Sequence, residues 1–262
     1  MLRQNNKNKR GQLTIWIIVA ILLVAIIFLL LFVYNPFKIN FTRDEIPQKP
    51  EVFISDCISD EVLETVDLLS RKGGYLEDPN IFVPYNNFKV GYLCYTNQPY
   101  TICSNQQPFL DKFIEQELKT EFKQTNLINS CLSSYKTTVE KLGYQINTCN
   151  NPDFNVTIEN DRIIFPFRCN IEMSKEDKSF RYQEIEPMVR AKLSNFIGIA
   201  NKIVEQEIKN GDFDLLLGQM YLTDIELGRT RAGNTKLYIL HESNTENYFI
   251  FGIKNLFQNS GL

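Results

Sequence analysis

Residues 149–169 read CNNPDFNVTIENDRIIFPFRC. In this stretch Val156 and Ile158 fall on one side of an extended chain, and Thr157 and Glu159 fall on the other. That is the period of two of a half-buried strand. Asn160-Asp161 then supplies a turn, and residues 162–171 cluster as a second strand, so the stretch reads as a hairpin flanked by Cys149 and Cys169. Pro166 donates no ladder hydrogen bond, which puts the second strand at an edge or marks a bulge.

Helical periodicity surrounds this hairpin. In residues 51–71, Val52, Cys57, Ile58, Val62, Val66 and Leu69 recur at spacings of three to five, and Gly73-Gly74 closes the segment. Pro108 opens a second helical region. Its stripe runs through Phe109, Phe113, Ile114, Leu118 and Phe122 and continues with Leu127, Ile128, Cys131 and Leu132. A third helix is expected from about Ala191 to Asn210, with Leu193, Phe196, Ile197, Ala200, Ile203, Val204 and Ile208 on one face and Gly211 at its end. Tyr85 to Ser104 and 143–149 read as short strands; Lys236–His241 and Tyr248–Lys254 read as late ones. About three helices packed with antiparallel strands define an α+β domain.

The N-terminal part differs in kind. Leu13 to Tyr34, LTIWIIVAILLVAIIFLLLFVY, has no charge. As a helix it would span roughly 33 Å, against a hydrocarbon core of roughly 30 Å. The sequence-level expectation is therefore a single N-terminal transmembrane helix that contacts membrane lipid through residues 13–34. Arg3, Lys7, Lys9 and Arg10 precede it without an acid, which places the N-terminus in the cytoplasm and the main domain outside. The bulky Phe32-Val33-Tyr34-Asn35-Pro36 lacks a small-x-small cleavage site, favouring a retained signal-anchor. The expected organisation is a basic cytoplasmic leader (1–12), a transmembrane helix (13–34), a tether (35–50) and an extracellular α+β domain (51–262).

The whole chain has 262 residues, is 44% hydrophobic and 23% charged, and carries a formal charge of −3. This excludes a disordered chain and a polytopic membrane protein. With the four leader bases set aside, 24 Lys and Arg face 31 Asp and Glu, a net charge of −7. Such a domain is unsuited to nucleic acid and other polyanions. An envelope protein is the expected partner, with self-assembly as an option.

All six cysteines follow the apolar run. An even set on the outer side reads as three disulfides, with fifteen connectivities open. Local structure favours Cys94–Cys103 around a turn-rich segment and Cys149–Cys169 around the hairpin, leaving Cys57 and Cys131 on two helices. No C-x2-C pair occurs and the one histidine, His241, is distant, so neither a metal nor any other cofactor is expected.

Lys9-Arg10-Gly11-Gln12 resembles the processing site of archaeal type IV pilin-like precursors, which implies cleavage between Gly11 and Gln12. A glutamate five residues into the mature chain is usual in that group, and Trp16 stands there instead. The basic Gly-Gln leader, the helix ending Gly73-Gly74-Tyr75, the Cys-bearing second helical region and the segment Lys209 to Leu216 (KNGDFDLL) together resemble a group of uncharacterised single-pass envelope proteins of small-genome archaea. The resemblance implies topology and compartment, and brings no catalytic residues.

Few residues suggest chemistry. Asp212 and Asp214 are a carboxylate pair that acid–base hydrolysis would use if folding set them across a cleft, though Asp212 also reads as a helix N-cap. His241 lacks a neighbouring nucleophile pattern. Tyr75, Phe82, Tyr85, Phe88, Tyr92, Tyr95 and Tyr100 offer a binding surface or simple cross-strand packing. Asn40 and Asn155 match glycosylation acceptors. The leading expectation is a non-enzymatic cell-envelope protein with an interaction or scaffolding domain. A pilin-like filament subunit comes next, and a carboxylate-based surface hydrolase third.

Overall fold

The computed structural model describes residues 18–27, 46–220 and 222–256. The chain divides into two units, Met1–Ile46 and Pro47–Leu262. In the first, residues 18–27 are helical. Those residues span roughly 15 Å at the helical rise, about half the hydrocarbon thickness. In the second, the longest helix has the length to span but carries six acidic residues between Glu51 and Asp67. Among the described residues no helix is long and apolar enough to cross a membrane. This corrects the single-pass, signal-anchor expectation for 13–34, and with it the fold class that included a transmembrane helix. The remainder of that range lies outside the described residues, as do Gly11, Gln12 and Asn40.

The second unit begins with α1 (Pro50–Arg71). Pro50 sits in its first turn, where a missing N–H costs nothing. Ile54, Ile58, Val62 and Leu69 are buried along one face. The helix ends where Gly74 takes φ 94° and donates its N–H to the Leu69 carbonyl at 2.8 Å. The expected second helical region is two helices, α2 (Leu110–Gln124) and α3 (Leu127–Lys141). Asn126, in the left-handed conformation at φ 54°, breaks between them. α4 (Leu193–Asn210) buries Phe196, Ile197, Ala200, Ile203 and Val204, and Gly211 ends it at φ 75°. A short α5 (Leu215–Met220) follows.

Twelve strands are described: β1 (Phe82–Tyr85), β2 (Phe88–Tyr95), β3 (Ser104–Asn105), β4 (Gln145–Asn147), β5 (Thr157–Glu159), β6 (Arg162–Ile164), β7 (Phe167–Lys175), β8 (Lys178–Ile185), β9 (Met188–Arg190), β10 (Ile225–Ala232), β11 (Thr235–Glu242) and β12 (Tyr248–Lys254). The largest sheet runs β1-β2-β12-β11-β10, with β3 on β2. β2 and β12 are parallel, so the sheet is mixed rather than antiparallel throughout. Two three-stranded sheets run β4-β7-β8 and β5-β6-β9. The hairpin of residues 149–169 is β5-β6, turning at Asn160. Pro166 falls between β6 and β7 and sends the chain from one small sheet to the other.

One core joins the helices to all three sheets. Phe122 meets Phe165, and Phe196 stacks on Phe249 with centroids 6.3 Å apart. Each such buried side chain stabilises the fold by roughly 1.5–3 kcal/mol. Val83, Val90, Tyr92, Leu237 and Ile250 form a second cluster, against which Tyr85, Phe88 and Tyr95 pack. Cross-strand packing thus occupies most of the aromatic set. A buried carboxylate ties α2 to β5: Glu115 accepts the Ile158 N–H at 3.0 Å and pairs with Lys112 at 2.7 Å.

Candidate functional site

The structure brings the cysteines together as Cys57–Cys131, Cys94–Cys103 and Cys149–Cys169, and none is free. The first joins α1 to α3. The third joins the segment after β4 to β7, which extends the β4–β7 pairing. The second closes residues 95–102 between β2 and β3. In that closed loop Tyr100 takes φ 60° and is 83% exposed. A non-glycine residue held in the left-handed region costs free energy unless its surroundings impose it. The disulfide at the loop's base is such a constraint.

Tyr100 overlooks a cleft of about 580 Å³, lined also by Asn210, Asp212, Arg231, Asn234 and Asn255. The cleft lies where the end of α4 meets the β10–β11 turn. A charged network reaches into its wall through Asp212 and Lys236. Glu207 is fully buried on α4. Its carboxylate accepts two hydrogen bonds from the Lys236 ammonium, at 2.8 and 2.9 Å, and one from the Tyr238 hydroxyl. Lys236 also donates to the Gly211 carbonyl and to Asp212, both at 2.8 Å. Arg229 donates to Asp212 at 2.6 Å, to the Phe213 carbonyl at 3.2 Å and to the Tyr238 hydroxyl at 3.3 Å. Two carboxylates therefore meet two cations. Burial, then the Glu207 charge, holds the Tyr238 phenol well above its ordinary range, so it stays a donor. Burial pulls the Asp212 carboxyl up, but the Lys236 hydrogen bond and the Lys236 and Arg229 charges outweigh it and leave its pKa lowered.

The carboxylate pair is divided between two jobs. Asp212 neutralises Lys236 and Arg229. Asp214, not Asp212, accepts the Leu216 and Leu217 N–H groups at 2.9 and 3.1 Å, capping α5. Asp212 is bound to both cations while lining the cleft, and Asp214 is bound to backbone N–H groups. Among the described residues, no three His, Cys, Asp or Glu side chains converge as a metal site. Asn155 is exposed just before β5, and its side-chain oxygen accepts Lys119 at 2.7 Å.

His241 stacks on Tyr248 with centroids 4.4 Å apart. Its Nε2 lies 2.7 Å from the Thr245 carbonyl, and its Nδ1 lies 3.5 Å from Glu226. The carbonyl first, then the carboxylate, raises its pKa above 6.5. The folded state therefore favours the imidazolium. The resulting stabilisation is complete below the ordinary histidine value and disappears as pH rises through the folded value. Glu226→Gln is expected to lower the midpoint of the His241 ring resonances in an NMR titration. It should also cost more stability at roughly pH 5 than at roughly pH 9.

No motif announces the network, but the sequence carries one signal of it. Glu207 continues the spacing of Ala200, Ile203 and Val204 on the apolar face of α4, so a charge stood at a core position. No family model, curated protein or solved structure matches the chain.

Proposed function

We propose that this chain is a non-enzymatic interaction module of an oxidising cell-envelope compartment, and that it holds its partner at the Tyr100 cleft. The carrying observation is Tyr100 itself: an exposed aromatic ring in a sterically costly conformation, on a loop closed by Cys94–Cys103. Tyrosine gives contact area with a polar tip and loses little rotamer freedom on binding, which suits it to an interface. The cleft beside it has amide side chains and a cation suited to hydrogen bonding. Complete cysteine pairing supports an oxidising compartment.

In this reading the network in the cleft wall is a support. It locks the end of α4, residues 211–213 and the β10–β11 hairpin to one another, so the cleft wall is preformed and binding needs little ordering.

The test is quantitative capture from solubilised envelopes of the source cells, with the full-length protein as bait. Tyr100→Ala is expected to reduce recovery of the main partner by about tenfold or more, as loss of an aromatic anchor does. Its melting temperature should not change, because the ring is not packed in the core. Equal recovery by the two proteins contradicts the proposal. So does turnover of an envelope substrate that Asp212→Asn abolishes.

A further inference from the structure

Among the described residues, β10 is an edge of the largest sheet, paired only with β11. Which of its backbone groups point outward follows from the bonds that flank it. The Asp224 carbonyl accepts the Ser243 N–H, so even-numbered positions bond toward β11. On the outer side, the Gln219 side-chain amide donates to the Ile225 carbonyl at 2.9 Å and accepts the Leu227 N–H at 2.7 Å. Gln219 thus imitates a neighbouring peptide and closes the first half of the edge.

The second half is open. By the same alternation the N–H and C=O groups of Arg229 and Arg231 point outward, and among the described residues no hydrogen bond reaches them. An unpaired edge of this kind is a template for another strand. The charges along it are unequal. Arg229 is neutralised by Asp212, and Lys236, opposite Arg231 on β11, is neutralised by Glu207 and Asp212. Arg231 is exposed, lines the cleft, and has no acidic partner among the described residues.

We propose that the outer edge of β10 at Arg229–Arg231 takes an extended peptide segment of a partner protein as an added strand, with an acidic side chain of that segment set against Arg231. The inference rests on the cleft being the partner-binding face and specifies the form of the partner. A second copy of this chain fits less well. Antiparallel pairing of two β10 edges about a twofold axis brings Arg229 and Arg231 of one copy against those of the other, and like charges directly opposite each other are destabilising.

The test is selection of random peptides displayed on phage against the oxidised full-length protein. Enriched peptides are then measured as free peptides by fluorescence anisotropy. The expected peptides alternate β-branched residues around a fixed Asp or Glu. Arg231→Pro removes an outward N–H and no ladder bond, so the fold is retained. It should weaken binding by about tenfold or more, as should main-chain N-methylation of the peptide. Arg231→Glu keeps the N–H and should select peptides with Lys or Arg at the fixed position.

Peptides that lose binding with Tyr100→Ala but bind Arg231→Pro normally would overturn the strand-addition inference while leaving the cleft reading intact. A concentration-dependent dimer of the free protein, abolished by Arg231→Pro, would make a second copy the occupant and also overturn it. No enrichment over an unrelated disulfide-bonded protein would overturn both.

Discussion

Glu207→Ala is expected to lower the unfolding free energy by about 3–5 kcal/mol, the usual consequence of removing one partner of a buried ion pair. Glu207 is fully buried, and Lys236 is 12% exposed at its side chain. Without the carboxylate, the Lys236 ammonium keeps only Asp212 and the Gly211 carbonyl. The Tyr238 hydroxyl, held in the protonated form by burial, loses its acceptor. The cost is that of a stranded charge and a stranded donor rather than of one lost contact. Glu207→Gln, which retains an acceptor oxygen, should cost less. Replacing Glu207 and Lys236 together by Leu and Met should recover much of the loss, because no unpaired charge then remains. Urea unfolding of the three variants checks the order. A loss below about 1 kcal/mol in Glu207→Ala, the size expected of an exposed pair, would contradict the buried network.

Removing the Cys57–Cys131 bridge by paired alanine substitution is the second large effect. The two cysteines are 74 residues apart in sequence. In the chain-entropy description, opening a loop of that length destabilises the fold by about 4.4 kcal/mol. The Cys94–Cys103 separation is 9 residues, and the same relation gives about 2.6 kcal/mol. Denaturant titration of the two double variants should therefore rank the α1–α3 bridge as the more stabilising. Partner binding should rank them in the opposite order, because the shorter loop carries Tyr100. Global stability and function are thus assigned to different disulfides.

Much of this architecture is local and was therefore legible. α1 and α4 follow from apolar residues at helical spacing and from the glycines that end them. The β5–β6 hairpin follows from alternation around Asn160-Asp161. What escaped depends on distant pairing or on weak local patterns. The parallel contact of β2 with β12 joins residues about 160 positions apart, and no local signal announces it. β8 alternates exposed and half-buried residues with charges at both ends, which reads equally well as a loop. β10 holds Gly228 and two arginines, an unpromising strand until its place at a sheet edge is known. There charged side chains are common. The break at Asn126 was hidden because the apolar stripe continues across it.

The site was legible only in fragments. Asp212 and Asp214 stand two residues apart and look like a pair, yet one is an ion-pair partner and the other a helix cap. The helix begins at Leu215, so the capping position falls at Asp214. Tyr100 is one of seven aromatic residues between Tyr75 and Tyr100, and nothing local in the sequence separates it from those that pack against the sheet. The separating property is exposure, set by the closed loop between β2 and β3.

The most direct measurement is site-specific photo-crosslinking in the source cells, with a photoreactive phenylalanine analogue in place of Tyr100 and, separately, in place of Lys136. Lys136 is exposed on α3 and is not among the cleft-lining residues. A binding module that uses the Tyr100 cleft predicts a discrete adduct from position 100, absent from position 136 and reduced when Cys94 and Cys103 are replaced by alanine. The same adducts from both positions, or none from position 100, would contradict it.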